Sequence, residues 1–253
     1  MLSHRNLVCE LFIPSVQGRE WAARKMAAGE PVAPLRTLAH LPIAHIAGVF
    51  GYLIAPFFAG GNVYWMPKFE WKAFLRYMKE LKITSIYTVP SIYLRMAKSP
   101  DVTDQFETLE AAITGAAPMD AELQMAANAK IGKGKTYIAQ TWGLSETTGA
   151  DVEPGQPGGI LVRGPLVTQG YYNNPTAPKE SFHDGWFCTG DIAVGWSGKF
   201  YIVGRKKELI KYKGLQIAPV ELENALVTHR KIQEAAVVGV PIAEALRFLV
   251  RIS

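Results

Sequence analysis

Between residues 36 and 140 the sequence alternates short apolar, β-branched runs with segments of helical periodicity, and this rhythm restricts the fold more than any other feature. Arg36 to Leu41, Asn62 to Met66, Thr84 to Val89, Leu109 to Thr114 and Lys135 to Gln140 read as strands. Between them, Ile46 to Phe58 reads as a buried helix and Trp71 to Leu81 as an amphipathic one with Phe74, Leu75, Met78 and Leu81 on one face. Ser91 to Ala97 follows as a helix capped by Ser91, and Met119 to Ala129 as a helix entered through Pro118. A β-α-β-α order implies an α/β architecture with a largely parallel sheet, and such sheets bind ligands at the carboxyl ends of their strands.

Past residue 149 the composition shifts to glycine and proline, and Ile160 to Arg163, Leu166 to Tyr171 and Lys199 to Val203 read as short strands of a β-rich lobe. Pro219 to Val227 reads as a helix: Pro219 lies near its start, Glu221 and Glu223 favour its N-terminal dipole, and His229-Arg230 follow its end. Glu234 to Val240 reads as a strand, and the chain stops at Ser253 inside another.

Net charge is +5, but the 27 basic and 22 acidic residues are interspersed, so nucleic acid is not an expected partner. Cys9 and Cys188 lie far apart without metal-ligand spacing, which fits a reducing compartment. The most apolar run, residues 46–60, falls short of the roughly 20 residues a bilayer span needs. No secretory signal or targeting tripeptide is visible, so the expected location is cytoplasmic.

Two loops follow strands of the parallel sheet. Thr114-Gly115-Ala116-Ala117-Pro118 contains small residues that let the backbone approach a flat ligand such as a nucleobase. Gln140-Thr141-Trp142-Gly143-Leu144-Ser145-Glu146-Thr147-Thr148-Gly149 combines an aromatic plane, hydroxyls and a carboxylate, able to stack a base, bond phosphate oxygens and hold Mg²⁺. Read plainly, Trp142 is equally a core residue, with Ser145 and Glu146 capping a turn. Gly190-Asp191 places a carboxylate where it could accept ribose hydroxyls, although a Gly-Asp pair is more often just a turn. Arg205, Lys206, Lys207, Lys211 and Lys213 put five cations in nine residues, a run that a solvated hairpin also explains.

These stretches, together with Leu41-Pro42-Ile43-Ala44-His45-Ile46, Gly170-Tyr171-Tyr172-Asn173-Asn174-Pro175, Gly185-Trp186-Phe187-Cys188-Thr189-Gly190-Asp191 and Gly204-Arg205-Lys206-Lys207-Glu208-Leu209-Ile210-Lys211-Tyr212-Lys213-Gly214, stand in the order of the motifs of a known family. The chain resembles the adenylate-forming superfamily, closest to 4-coumarate:CoA ligase-like acyl-CoA synthetases. The resemblance implies ATP, Mg²⁺ and coenzyme A as reactants and cofactors and a small carboxylic acid, aryl or medium-chain, as substrate. It implies that His45 lines the acyl pocket, that Gly115, Ala116, Trp142 and Gly143 form the adenine slot and its wall, that Ser145 contacts phosphate and Glu146 the metal. It further implies that Asp191 takes the ribose hydroxyls with Arg205 beside it, that Lys207 is a hinge, and that Lys211 and Gln216 enter the active site in one of two lobe orientations. Tyr87, Pro90, Ile92 and Tyr93 are added as pocket candidates.

Against the family pattern, the chain is expected to lack the phosphate loop before Met1, a few dozen residues between Gly149 and Glu153, and the adenylation lysine beyond Ser253. The expected organisation is therefore a partial large α/β lobe over residues 1–206, with parallel sheet and β-rich lobe, and part of a small α+β mobile lobe over 207–253. An acid:CoA ligase active in its full-length form, for which a peroxisomal location stays open, stands beside two alternatives: a truncated, inactive nucleotide-binding scaffold, and the adenylation domain of a peptide synthetase.

Overall fold

The computed structural model describes residues 2–117, 119–131, 136–143, 157–174, 181–197, 199–212, 215–229, 231–232, 234–242 and 245–252. Pro118, Lys135, Ser145, Glu146, Lys213 and Arg230 lie outside the described residues. The chain divides into two compact units, Val8–Trp142 and Met1–Leu7 with Gly143–Ser253.

The first unit carries the expected parallel sheet. Strands β1 (Arg36–Ala39), β2 (Asn62–Trp65), β3 (Ser85–Thr88), β4 (Ala111–Thr114) and β5 (Ile138–Gln140) lie in the order β2-β1-β3-β4-β5, with every pairing parallel. A long helix, α1 (His4–Ala27), precedes them. It was not legible in the sequence because Pro14 and Gly18 fall in its interior, where both disfavour a helix. Helix α4 (Trp71–Glu80) buries Trp71, Phe74, Leu75 and Met78, and Glu70 caps it by accepting from the amides of Lys72 and Ala73. With α5 (Pro90–Lys98) and α6 (Ala121–Lys130) it supplies a core that includes Ile83, Ile86, Tyr93, Met96, Phe106 and Ile131. Each such side chain contributes about 1.5–3 kcal/mol of transfer free energy.

Two expectations for this unit are corrected. Residues 46–59 are not a buried helix: α2 (Ile46–Gly48) runs through a π-helical turn over Val49–Ile54 into α3 (Ala55–Ala59), and Phe57 is 89% exposed. Ser91 does not cap α5, because Pro90 takes its first position, where the missing N–H costs nothing. Pro90 and Tyr93 are core residues, Tyr93 donating its hydroxyl to Ile113 O.

In the second unit, β6 (Pro157–Val162) and β7 (Phe182–His183) pair antiparallel with the long β8 (Trp186–Trp196), and β9 (Lys199–Arg205) pairs with β8 along its second half. The expected strand 166–171 is a turn instead: Gly164 and Gly170 take left-handed φ angles of 147° and 141°, and Val167 N donates to Gly164 O. Strands β10 (Ile210–Tyr212) and β11 (Leu215–Ile217) form a hairpin, followed by α7 (Pro219–Val227) and the antiparallel pair β12 (Ala235–Ile242) and β13 (Ala245–Ile252). Buried Asn6 ties the N-terminal segment in, its amide donating to Pro165 O and Val167 O.

Candidate functional site

In the first unit the candidate residues converge on the carboxyl ends of β3, β4 and β5. The β4 loop runs Thr114-Gly115-Ala116-Ala117; the β5 loop starts at Thr141, whose N–H and hydroxyl both donate to Thr114 O at 2.8 and 2.9 Å. A Cβ on Gly115 would come within 2.7 Å of Thr141 Oγ1 and 2.9 Å of the Tyr87 hydroxyl. The glycine therefore lets the two loops and β3 close on one another, and the face left open on this loop belongs to exposed Ala116 and Ala117. Ala116 has φ 71°, a left-handed conformation that a non-glycine residue adopts at a cost, and such strain clusters at functional sites. Trp142 is half-buried rather than a core side chain, and Gly143 is exposed.

His45 stands at the start of α2 with its side chain exposed, and its Nδ1 accepts from Ala47 N at 3.2 Å. Nε2 is thereby the ring nitrogen left to carry the proton. The ring is not packed into a core. The segment after His45 is joined to the same strand ends: Tyr52 donates its hydroxyl to Tyr87 O at 3.1 Å, and Gly51 faces the Tyr87 side chain. Tyr52 is buried, which pushes its phenol up to about 12.

Sequence reasoning passed over His40, just past the end of β1. It is buried among the rings of Tyr52, Phe69 and Phe74, with Nδ1 at 2.8 Å from Leu38 O and Nε2 at 2.8 Å from Thr88 Oγ1. Only its place at a strand end, five residues before His45, could have drawn attention to it.

In the second unit Asp191 is not in a turn. It lies within β8, with Gly190 at φ 79° and a ladder irregularity between Ile192 and Ala193. Its side chain is 4% exposed, and Oδ1 accepts from Arg205 Nε at 2.9 Å, the two residues standing opposite each other in the β8–β9 ladder. Thr189 Oγ1 accepts from Asp191 N and donates to Ile160 O, so the carboxylate sits on a fixed stretch of strand. Lys207 is exposed in the turn between β9 and β10. Lys211 and Gln216 face each other across the β10–β11 hairpin register. Ser145 and Glu146 lie outside the described residues, which hold no cluster of three acidic, histidine or cysteine side chains fit for a metal.

The AMP-binding enzyme family matches residues 1–152, more than half of the chain. The chain belongs to that family. Among similar AMP-binding proteins, one of Emericella nidulans described as an acyl-coenzyme A synthetase is 42% identical, over 97% of this chain and 49% of its own length. The 4-coumarate–CoA ligase 1 of Arabidopsis thaliana is 33% identical, over 79% of this chain and 42% of its own length. The crystal structure of ATP-bound MatB from Rhodopseudomonas palustris superposes with a TM-score of 0.80 at 26% identity, over all of this chain and 54% of that one. The chain thus spans about half the length of the relatives it matches. The Emericella alignment runs over 280 positions against a chain of 253 residues, so at least 27 positions stand opposite gaps in this chain.

Proposed function

We propose that this chain carries nucleotide-handling and acid-handling parts of an ATP-dependent carboxylic acid:CoA ligase. The observation that carries the reading is the convergence of Tyr87, Ala116 and the Thr141-Trp142 loop at the carboxyl ends of adjacent parallel strands, in a chain of the AMP-binding family. The first half-reaction forms a bond between a substrate carboxylate oxygen and the α-phosphorus of ATP and breaks the bond to pyrophosphate. In the second, the sulfur of coenzyme A attacks the acyl carbon, its proton is lost and AMP leaves. In-line transfer at phosphorus develops charge on the phosphoryl oxygens, so the protein's contribution is position and electrostatics.

In this reading Ala116 and Trp142, supported by Gly115 and followed by Gly143, offer the base an open loop edge and an aromatic wall. Asp191, oriented by Arg205, accepts from the ribose hydroxyls. His45 presents Nε2 to the reacting carboxylate, and Tyr87 stands as the aromatic neighbour of an aryl or medium-chain acyl group. Lys207 is the pivot at the boundary between residues 1–206 and 207–253, and Lys211 and Gln216 travel with the second part. Ser145 is assigned to phosphate and Glu146 to Mg²⁺, whose chemistry when bound is to neutralise charge on the phosphates.

A second reading, a nucleotide-binding scaffold without ligase activity, is supported by the gap of at least 27 positions inside the aligned region. Acid-dependent exchange of labelled pyrophosphate into ATP, run with Mg²⁺ and a panel of aryl and medium-chain acids, separates the two. Acid-dependent exchange supports the ligase, whereas saturable ATP binding without exchange supports the scaffold.

A further inference from the structure

The loop that carries His45 has little of its own to hold it. Pro42, Ile43, Ala44 and His45 are all exposed, and Leu41 is only half-buried. Where such a loop stands is decided at its two ends, and both ends are fastened to the same strand. At the near end the chain leaves β1 at His40, whose ring is buried among Tyr52, Phe69 and Phe74, the last edge-on at 5.0 Å. Leu38 O can only accept, so Nδ1 of His40 donates to it at 2.8 Å, and Nε2 accepts from the Thr88 hydroxyl, also at 2.8 Å. Thr88 is wholly buried at the carboxyl end of β3. At the far end, Tyr52 donates its hydroxyl to Tyr87 O at 3.1 Å. Residues 40–52 thus hang from two consecutive positions of β3. Between these ends, His45 N donates to Pro42 O, and Gly48 N and Val49 N donate to His45 O, so His45 is carried as one piece with α2.

We propose that His40 is a positioning residue for His45: bonded at both ring nitrogens, it pins the start of the His45 loop to Thr88, as Tyr52 pins its end to Tyr87, and so fixes where Nε2 of His45 is presented. The proposal rests on the reading in which His45 meets the reacting carboxylate. The residue type follows from what the spot requires, a donor toward Leu38 O and an acceptor toward Thr88 in one flat group. Leucine would fill the volume and supply neither, leaving the Thr88 hydroxyl buried without a partner, whereas the amide of glutamine supplies one of each. Thr114 gives the contrast. It stands opposite Thr88 in the β3–β4 ladder and is as deeply buried, yet its hydroxyl has no hydrogen-bond partner among the described residues. A buried threonine at a strand end is therefore not bonded as a matter of course, and the bond from Thr88 to His40 is a specific one.

Histidine NMR on the 253-residue chain tests this without requiring ligase activity. The His45 ring is identified by its loss in His45→Gln, and its tautomer, with Nδ1 accepting from Ala47 N and the proton on Nε2, is read from the ring nitrogen shifts. His40→Leu and Thr88→Val are expected to move the His45 signals toward those of a freely solvated, tautomer-averaged histidine, while His40→Gln and Thr114→Val leave them in place. Thr88→Val keeps the shape of the side chain and decides the matter should His40→Leu fail to fold. In acid-dependent pyrophosphate exchange, His40→Leu is expected to raise KM for the acid roughly tenfold with KM for ATP unchanged, and His40→Gln to restore it. Unmoved His45 signals in folded Thr88→Val, or equal displacement by Thr88→Val and Thr114→Val, overturn the proposal. Displaced His45 signals without exchange, or with an unchanged KM for the acid, sustain the positioning by His40 and count instead against the role of His45 in the ligase reading.

Discussion

At the scale of single residues, His40 has a consequence that can be measured. Leu38 O can only accept, so His40 Nδ1 carries a proton and Nε2 accepts from the Thr88 hydroxyl; one neutral tautomer satisfies both partners. Burial lowers its pKa from 6.5 to about 4. The unfolded chain takes up the proton near pH 6.5 and the folded one only near pH 4, so the stability is complete above pH 6.5 and is lost as the pH falls through that window. The loss is expected to reach roughly 3 kcal/mol below pH 4. Urea denaturation between pH 7 and 4 is expected to show that slope in the parent and a shallower one in His40→Gln; equal slopes would remove His40 from the account. His45 was legible in the sequence through its motif, whereas His40 was not, because no periodicity distinguishes a strand-end histidine that is buried and fully bonded. Asp191 was legible as a residue but not as a setting: its partner Arg205 is 14 positions away, and only the β8–β9 register brings the two together.

Among elements, the parallel sheet was readable because its strands are short apolar runs and two of them, β2 and β3, are followed by helices of clear 3.6 periodicity, strongest in α4. The segment after His45 was not. Its uniform apolarity reads as burial, but one side faces solvent, and no sequence signal marked the π-helical turn over Val49–Ile54. Gly48 shows how tightly the His45 loop packs on that segment: an added Cβ would stand 2.3 Å from Pro42 O and 2.6 Å from Ile43 Cα. Gly48→Ala is expected to cost about 1–3 kcal/mol, since backbone rather than a flexible side chain must move. Thermal unfolding checks the stability loss, and the histidine NMR resonances check whether His45 is displaced. Helix α6 makes the complementary case. Asp120 caps it by accepting from Leu123 N at 2.7 Å, so Asp120→Ala is expected to destabilise by about 1 kcal/mol, and Asp120→Ser by much less. Equal loss from the two would show that the cap contributes nothing.

For the whole molecule, family, fold class and the order of the motifs were present in the sequence because glycine-bounded loops and strand ends keep their local signatures. The fastening of residues 40–52 to β3 was not, since His40 and Tyr52 find their partners 48 and 35 positions away. The central claim is that these motifs handle a nucleotide. Calorimetric titration of ATP with Mg²⁺ into the 253-residue chain tests it most directly, using Asp191→Asn, which keeps the shape but not the charge of the carboxylate, and Met125→Asp as a surface control. The account predicts saturable binding, weakened at least tenfold by Asp191→Asn and unchanged by Met125→Asp. Absence of saturable binding, or binding indifferent to Asp191, would contradict it.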